Sequence, residues 1–201
     1  MAIRHGASAL GLVSRMPSGP GVISDERIAE IAARTPPAVA SVLLTCEQEA
    51  AAILRQQRAS RANTLQFCDR VAPGTYRALR EALPGISLVQ VIHVVDESSI
   101  DEALEAAPEV DGLLLDSGRP KQAVKELGGT GRVHDWALSR RIREHVGVPV
   151  FLAGGLNANN VAEAIRQVEP FGVDVCSGVR TEGSLDELKL AAFVARARLA
   201  H

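Results

Sequence analysis

Residues Val150–Val161, with the sequence VFLAGGLNANNV, are the stretch that decides the fold. A short apolar run ends in Gly154-Gly155, and helical spacing begins a few residues later. This order is typical of a buried strand that turns into a helix. Glycines let the backbone approach an anion closely, and free N–H groups at such a turn can point at it. The stretch therefore predicts a phosphate-binding turn, and a plain strand-to-helix turn is the alternative.

A second glycine turn follows one unit later, in Gly172–Arg180, with the sequence GVDVCSGVR. In eight-stranded α/β barrels, the loops after the last two strands often share one phosphate. Two turns on consecutive strands are more specific than either alone. Arg180 is either a counter-charge for the anion or an ordinary surface residue. The residues predicted to bind the phosphate are Gly154, Gly155, Leu156, Asn157, Ser177, Gly178 and Val179.

Outward from these turns, strand and helix patterns alternate along the chain, which predicts a parallel sheet covered by helices. The predicted strands are Ala7–Val13, Ala38–Leu44, Asn63–Phe67, Ser87–Val94, Gly112–Leu115, Val148–Leu152 and Val173–Cys176. The predicted helices are Ser24–Arg34, Glu47–Arg58, Pro73–Ala82, Ser99–Ala106, Trp136–His145, Asn159–Val168 and Leu185–Ala200. No linker interrupts the alternation, so residues 1–201 are expected to form a single domain.

The predicted fold class is α/β, of the (β/α)₈ TIM-barrel type, with about seven strands present instead of eight. Met1–Gly6 reads as the tail of a helix followed by a glycine cap. A strand normally precedes such a helix, so the first barrel strand is expected to be missing. The two end strands would then have unpaired edges, which invite pairing with another chain. The barrel then stays open at that seam, closes again with seven strands, or fills the gap with a second copy of the chain. We expect the open seam or a homo-oligomer that forms through it.

Composition excludes several classes of protein. The formal net charge is −2 and aromatic residues make up 3 %, so neither nucleic acid nor a membrane is an expected partner. The three cysteines are too far apart in sequence for a zinc motif, and no metal site is expected. An odd number of cysteines and the absence of a signal-peptide pattern fit the reducing cytoplasm.

Several polar residues fall where barrel chemistry takes place. Asp116 follows the apolar run Gly112–Leu115, at the carboxyl end of a strand, so it is either a catalytic carboxylate or a cap of the next loop. Asp174 is expected to point inward from its strand, as a site residue or a hydrogen-bonded core residue. Gln66 and Cys68 close another strand and can face the same pocket. Gly129 lies in a glycine-rich loop that suits a lid, with a disordered surface loop as the alternative.

Together, these motifs resemble the phosphoribosylanthranilate isomerase family of tryptophan biosynthesis, a branch of aromatic amino acid biosynthesis. The resemblance is strongest over roughly residues 110–200 and weaker before them. The matching runs, in the family's order and spacing, are Leu113–Asp116, Gly128–Gly131, Asp135-Trp136, Ala153–Asn157, Asn160-Val161 and Pro170–Val179. It implies an Amadori rearrangement of an aminoaldose phosphate to an aminoketose phosphate, with no cofactor or metal. Asp116 stands where the family has its general acid.

The chain also departs from the family pattern. The family's general base is a cysteine on the first strand, and this chain has no such strand. Gly21 stands near the place of the family's anthranilate-binding arginine, Cys68 replaces a histidine, and His134 stands where phenylalanine is usual. Either the sequence start is truncated or misplaced, or the chain has diverged. A diverged relative would bind a phosphorylated small molecule without isomerase activity, or act on another phosphosugar.

Overall fold

The computed structural model describes residues 1–17, 19, 21–118 and 133–200, and there strands and helices alternate as the hydrophobic pattern predicts. The strands are β1 Ala9–Val13, β2 Ala40–Thr45, β3 Thr64–Phe67, β4 Ser87–His93, β5 Gly112–Asp116, β6 Val150–Leu152, β7 Gly172–Val173, β8 Arg180–Thr181 and β9 Ser184–Leu185. The helices are α1 Asp25–Arg34, α2 Ala50–Ser60, α3 Thr75–Ala82, α4 Ser98–Ala106, α5 Trp136–His145, α6 Val161–Val168 and α7 Glu187–Arg198. Short 3₁₀ turns occupy Ala2–His5, Ala107–Glu109 and Ser177–Val179.

Strands β1 to β7 form one parallel sheet in which spatial order equals chain order. Each strand therefore returns through a helix, and all carboxyl ends lie along the same edge. Alternate residues of each strand pack on opposite faces. On β5, Leu113 and Leu115 face the helices, whereas Leu114 packs inside with Cys68 and Ala153.

The sheet curls into an incomplete barrel. Among the described residues, no ladder joins β1 to β7, so the seven-strand prediction is confirmed. Ala9 and Gly11 on β1 are exposed on the inward face beside this seam. The outer layer meets across it, because the Ala2–His5 turn contacts α7 and His5 Nε2 lies 2.9 Å from Glu187 Oε1. Gly6 ends that turn with φ of 96°, the left-handed cap predicted from the sequence.

The last unit differs from the prediction. Strand β7 ends at Val173, not Cys176, because residues 177–179 form a 3₁₀ turn and leave the ladder. A two-stranded ribbon, β8 and β9, follows where the pattern indicated a loop and a helix start. Helix α7 begins after Asp186, whose carboxylate accepts hydrogen bonds from the N–H groups of Leu188 and Lys189 at 3.0 and 3.1 Å. No helix in the described ranges has the length and apolar character that a membrane span requires.

Candidate functional site

One row of side chains crosses the carboxyl edge of the sheet on its inner face. His93 and Asp116 are register partners on β4 and β5. The row continues through Ala153 and Asp174, whose N–H groups donate to the carbonyls of the preceding strands at 2.8 Å. The small Ala153 thus lies between the carboxylates of Asp116 and Asp174. One strand separates β5 from β7, so these two strands are about 10 Å apart at the usual strand spacing. A small ligand over Ala153, in the gap between the two carboxyl groups, can therefore contact both.

Asp116 lies at the centre of this row. Its side chain is 8 % exposed, and its Oδ1 accepts a hydrogen bond from the Ser117 N–H at 2.7 Å. Its negative charge acts on Cys68, His134 and Asp174, which surround it. A carboxyl group in this position can transfer a proton to a ligand in the gap.

Asp174 is inward-facing, as predicted, although it follows β7 instead of lying within it. Protein atoms crowd the carboxyl group and, with the nearby negative charge of Asp116, raise its pKa. The residue is nevertheless exposed, and water that reaches the carboxyl screens both effects. The rise in pKa is therefore smaller than full burial would produce.

The first glycine turn has the free donors that an anion requires. Gly154 and Gly155 have φ of 80° and 64°, a conformation that favours glycine. Within the described part of the chain, the N–H groups of Gly155 and Leu156 have no hydrogen-bond partner. The Asn157 N–H is already taken, because it donates to Asn160 Oδ1 at 2.8 Å. Asn157 therefore shapes the turn, and its backbone donor is not available to an anion.

The two glycine turns touch each other. A Cβ atom built on Gly178 would lie 1.9 Å from the Leu156 carbonyl oxygen and 3.0 Å from Asn157 Cβ. Only a residue without a side chain allows this approach. The turns after β6 and β7 therefore meet, and one anion can contact both.

His134 joins the first turn to Asp116. A Cβ on Gly154 would lie 2.8 Å from His134 Nδ1 and 3.0 Å from the Ser117 nitrogen. The other ring nitrogen of His134 is 2.7 Å from Ser139 Oγ. Burial lowers the pKa of His134, while the charge of Asp116 opposes that shift. The imidazole thus forms one wall of the pocket.

Gln66 and Cys68 are both buried on the inner side of β3, as expected for pocket residues. Burial raises the pKa of the Cys68 thiol to about 12, so the thiol stays protonated at neutral pH and is a poor nucleophile or base. Gly129 lies outside the described residues. No cluster of three or more metal-ligating side chains occurs in the described ranges.

His93 lies within the predicted strand Ser87–Val94, and the sequence pattern gave it no place in the site. The structure places its ring inside the pocket, with Nε2 2.9 Å from the Cys68 carbonyl oxygen. The signal was present in the alternation: Val89 and Val91 pack on the inner face, so His93 must follow them there.

The family model and the relatives most similar in sequence indicate one family. The model of N-(5'-phosphoribosyl)anthranilate (PRA) isomerase matches residues 2–196. A relative from Halobacterium salinarum, N-(5'-phosphoribosyl)anthranilate isomerase, is 39 % identical over 200 residues, covering 98 % of this chain and 88 % of the relative.

Solved structures give the same result. A phosphoribosyl anthranilate isomerase in complex with reduced 1-(o-carboxyphenylamino)-1-deoxyribulose 5-phosphate has a TM-score of 0.80 and 28 % identity, covering 98 % of this chain and 90 % of the other. A monomeric form of the dimeric isomerase from Thermotoga maritima has a TM-score of 0.79 and 26 % identity, with the same coverage.

Proposed function

Because this chain belongs to the N-(5'-phosphoribosyl)anthranilate isomerase family, we propose that it rearranges N-(5'-phosphoribosyl)anthranilate to the corresponding 1-deoxyribulose 5-phosphate. It is an enzyme of tryptophan biosynthesis, an intramolecular oxidoreductase that converts an aldose to a ketose. The observation that carries the proposal is the placement of Asp116 beside two touching glycine turns. The carboxyl group can transfer a proton to the reacting sugar while the two turns bind its phosphate.

Residues at different places in the site have different roles in this reaction. The N–H groups of Gly155 and Leu156, with those of Ser177–Val179 opposite, bind the phosphate in this proposal and fix one end of the substrate. Asp116 then gives a proton to the ring oxygen of the ribose. The ring carbon–oxygen bond breaks, and the nitrogen lone pair forms a Schiff base. A base must next remove the proton at C2, and the resulting enol rearranges to the ketose.

The direct test is turnover by this chain. We expect purified protein to convert N-(5'-phosphoribosyl)anthranilate to the ketose product, observed by proton NMR, without added metal. The experiment is repeated with chelator present, and with ribose 5-phosphate as an alternative aldose phosphate. Binding without conversion of any aldose would instead support a phosphate-ligand-binding protein, and conversion of ribose 5-phosphate alone would support another phosphosugar as the substrate.

We also propose that the seam between β1 and β7 pairs with a second copy of this chain. Unpaired parallel strands expose backbone donors and acceptors, and Ala9 and Gly11 leave the edge of β1 uncovered. Phe171, just before β7, is 70 % exposed and adds apolar surface. The dimeric Thermotoga maritima isomerase is a precedent for assembly in a relative.

Sedimentation measures this association. We expect the apparent mass to rise with protein concentration, and Ala9→Lys to abolish the rise because a charge on an edge strand opposes pairing. Glu81→Lys, at an exposed site on α3, is the control for an added lysine. A wild-type chain that stays monomeric at every concentration would contradict this proposal.

We place the protein in the cytoplasm. Cys68 and Cys176 carry thiols that form no disulfide, as expected in a reducing compartment. A small phosphorylated substrate of a biosynthetic pathway is consistent with this location.

A further inference from the structure

A cavity of about 750 Å³ opens in the outer layer of the molecule, between α3 and α4. Consecutive helices pack against one another around the sheet, and α3 and α4 are the pair that packs least closely in the described part of the chain. Small-molecule sites in proteins have volumes of roughly 300–1,000 Å³, so the cavity has the size of such a site. It lies on the helix-covered face of the sheet and is separate from the site around Asp116.

The floor of the cavity is a polar residue at a position of β4 that normally carries an apolar one. Leu88 and Ile92 pack with the helices on this face of the strand. Gln90 lies between them on the same face, is 3 % exposed and lines the cavity. Its Nε2 is held within 3.3 Å of three backbone carbonyl oxygens. The fold therefore maintains a fixed polar group beneath the cavity.

The hydrogen bonds of Gln90 leave one acceptor open on this floor. Carbonyl oxygens only accept hydrogen bonds, so the amide nitrogen of Gln90 faces them and its Oε1 faces Tyr76. The Tyr76 hydroxyl, 2.6 Å from that Oε1, must then donate to it. The Tyr76 oxygen keeps a lone pair, and Tyr76 also lines the cavity. A ligand that reaches this oxygen has to donate a hydrogen bond to it.

The two walls of the cavity differ in the sign of their charge. The arginines lie on the α3 side and most of the glutamates on the α4 side: Arg70, Arg77 and Arg80 against Glu102, Glu105 and Glu109, with Glu81 as the exception at the end of α3. Among these glutamates, Glu102 alone is half-buried. A molecule between the walls therefore meets positive charge on one side and negative charge on the other.

Two ion pairs already join the walls. Arg70 binds both carboxylate oxygens of Glu105 at 2.7 Å, and Arg80 Nη1 lies 2.8 Å from Asp111 Oδ2. Arg77 and Glu102 stand on opposite walls, and neither makes an ion pair or a side-chain hydrogen bond to any residue that the structure describes. These two charges remain available to opposite ends of one ligand.

The charge around the Tyr76 hydroxyl favours a cationic donor. Burial raises the pKa of Tyr76, and the glutamates of the α4 side add to the rise while Arg70 opposes it. An ammonium group can donate to the Tyr76 oxygen and pair with Glu102 at the same time. A carboxylate on the same molecule can pair with Arg77, because a guanidinium group binds a carboxylate through two parallel hydrogen bonds.

We propose that the cavity between α3 and α4 binds a free α-amino acid with an aliphatic side chain. Its ammonium group pairs with Glu102 and donates to Tyr76, and its carboxylate pairs with Arg77. Val71 and Ala106, both buried and both lining the cavity, receive the apolar side chain. This binding site goes beyond the proposed isomerase activity and does not depend on it.

L-Leucine is the probe, and two half-charged analogues test each of its charges. Leucinamide keeps the ammonium group and lacks the carboxylate, whereas N-acetyl-L-leucine keeps the carboxylate and lacks the ammonium group. Titrations at mildly acidic pH, where both amines are protonated, are followed by ¹⁵N–¹H correlation NMR. Leucine should shift the amide signals of α3 and α4. We expect each analogue to bind about tenfold more weakly than leucine, since one charged hydrogen-bonding group is lost.

Two variants assign each charge of the ligand to its wall. Arg77→Gln should bind leucine and leucinamide equally, because the carboxylate has lost its partner. Glu102→Gln should bind leucine and N-acetyl-L-leucine equally, because the ammonium group has lost its partner. Arg58→Gln, at an exposed arginine on α2, is the matched control and should keep the wild-type affinity. Circular dichroism checks the fold of all three.

Three results would overturn this inference. The first is a wild-type spectrum that leucine leaves unchanged. The second is a folded Arg77→Gln or Glu102→Gln protein that still distinguishes leucine from its analogues as wild type does. The third is tighter binding of putrescine, a diamine without a carboxylate, which would show a site for cations alone. Isomerase turnover is assayed separately, so its presence or absence leaves the outcome of this test unaffected.

Discussion

Replacing Asp116 by Asn should remove most of the isomerase turnover, by about 10²–10⁴-fold in kcat, and leave the fold intact. The amide has nearly the same shape as the carboxyl group, and its oxygen can still accept the hydrogen bond from the Ser117 N–H. It has no proton to give to the ring oxygen at neutral pH, so ring opening loses its acid. Steady-state kinetics measure the loss, and circular dichroism checks the fold.

A second Asp→Asn substitution provides the control for this prediction. Asp101→Asn removes a carboxylate from the exposed surface of α4, in the helical layer outside the sheet, and should leave kcat unchanged. A loss of less than about tenfold in Asp116→Asn would show that Asp116 is not the acid. Asp174 would then be the next carboxyl group to examine, because its raised pKa keeps more of it protonated near neutral pH.

A methyl group at Gly178 should disrupt the contact between the two glycine turns. Its Cβ would lie 1.9 Å from the Leu156 carbonyl oxygen, far inside any normal contact distance. Because the obstacle is backbone, no side-chain rotation relieves the clash, and the turns must move apart. Overpacking of this kind typically costs about 1–3 kcal/mol of stability. We therefore expect a lower melting temperature and the loss of most phosphate affinity.

Thermal melts and titration with inorganic phosphate, followed by ³¹P NMR, measure both effects. Gly147→Ala is the matched control, since no atom lies within 4 Å of the added Cβ and the site tolerates a side chain. Its melting temperature and phosphate affinity should equal those of wild type. A Gly178→Ala protein that melts and binds phosphate like wild type would show that the contact between the turns is not needed for the site.

The local pattern was sufficient to predict most of the elements. The buried faces of strands and helices follow from hydrophobic spacing, because the buried apolar side chains recur with the period of the strand or of the helix. Helix α5 was predicted at its observed limits, Trp136–His145, because Asp135 caps its first turn through the N–H groups of Ala137 and Leu138. The end of the chain was predicted less well. Ribbon β8–β9 consists of two-residue strands, too short to produce a periodic signal.

What the sequence by itself determined is the order of the elements and the residues that end each strand. Asp116 follows three leucines and the glycine turns follow β6 and β7, so their presence at one edge follows from parallel topology alone. Local composition is enough for this, since strand direction fixes which end each residue occupies.

Tertiary structure alone decided which of these residues act on one another. His93 becomes the neighbour of Asp116 only through the register between β4 and β5, and its ring lies 2.9 Å from a carbonyl oxygen 25 residues earlier in the chain. Gly178 must be glycine because Leu156 lies against it, and the pKa of Asp174 is raised by the protein atoms around its carboxyl group and by the charge of Asp116. These effects act over a few ångströms between segments that are distant in sequence, so no local pattern contains them.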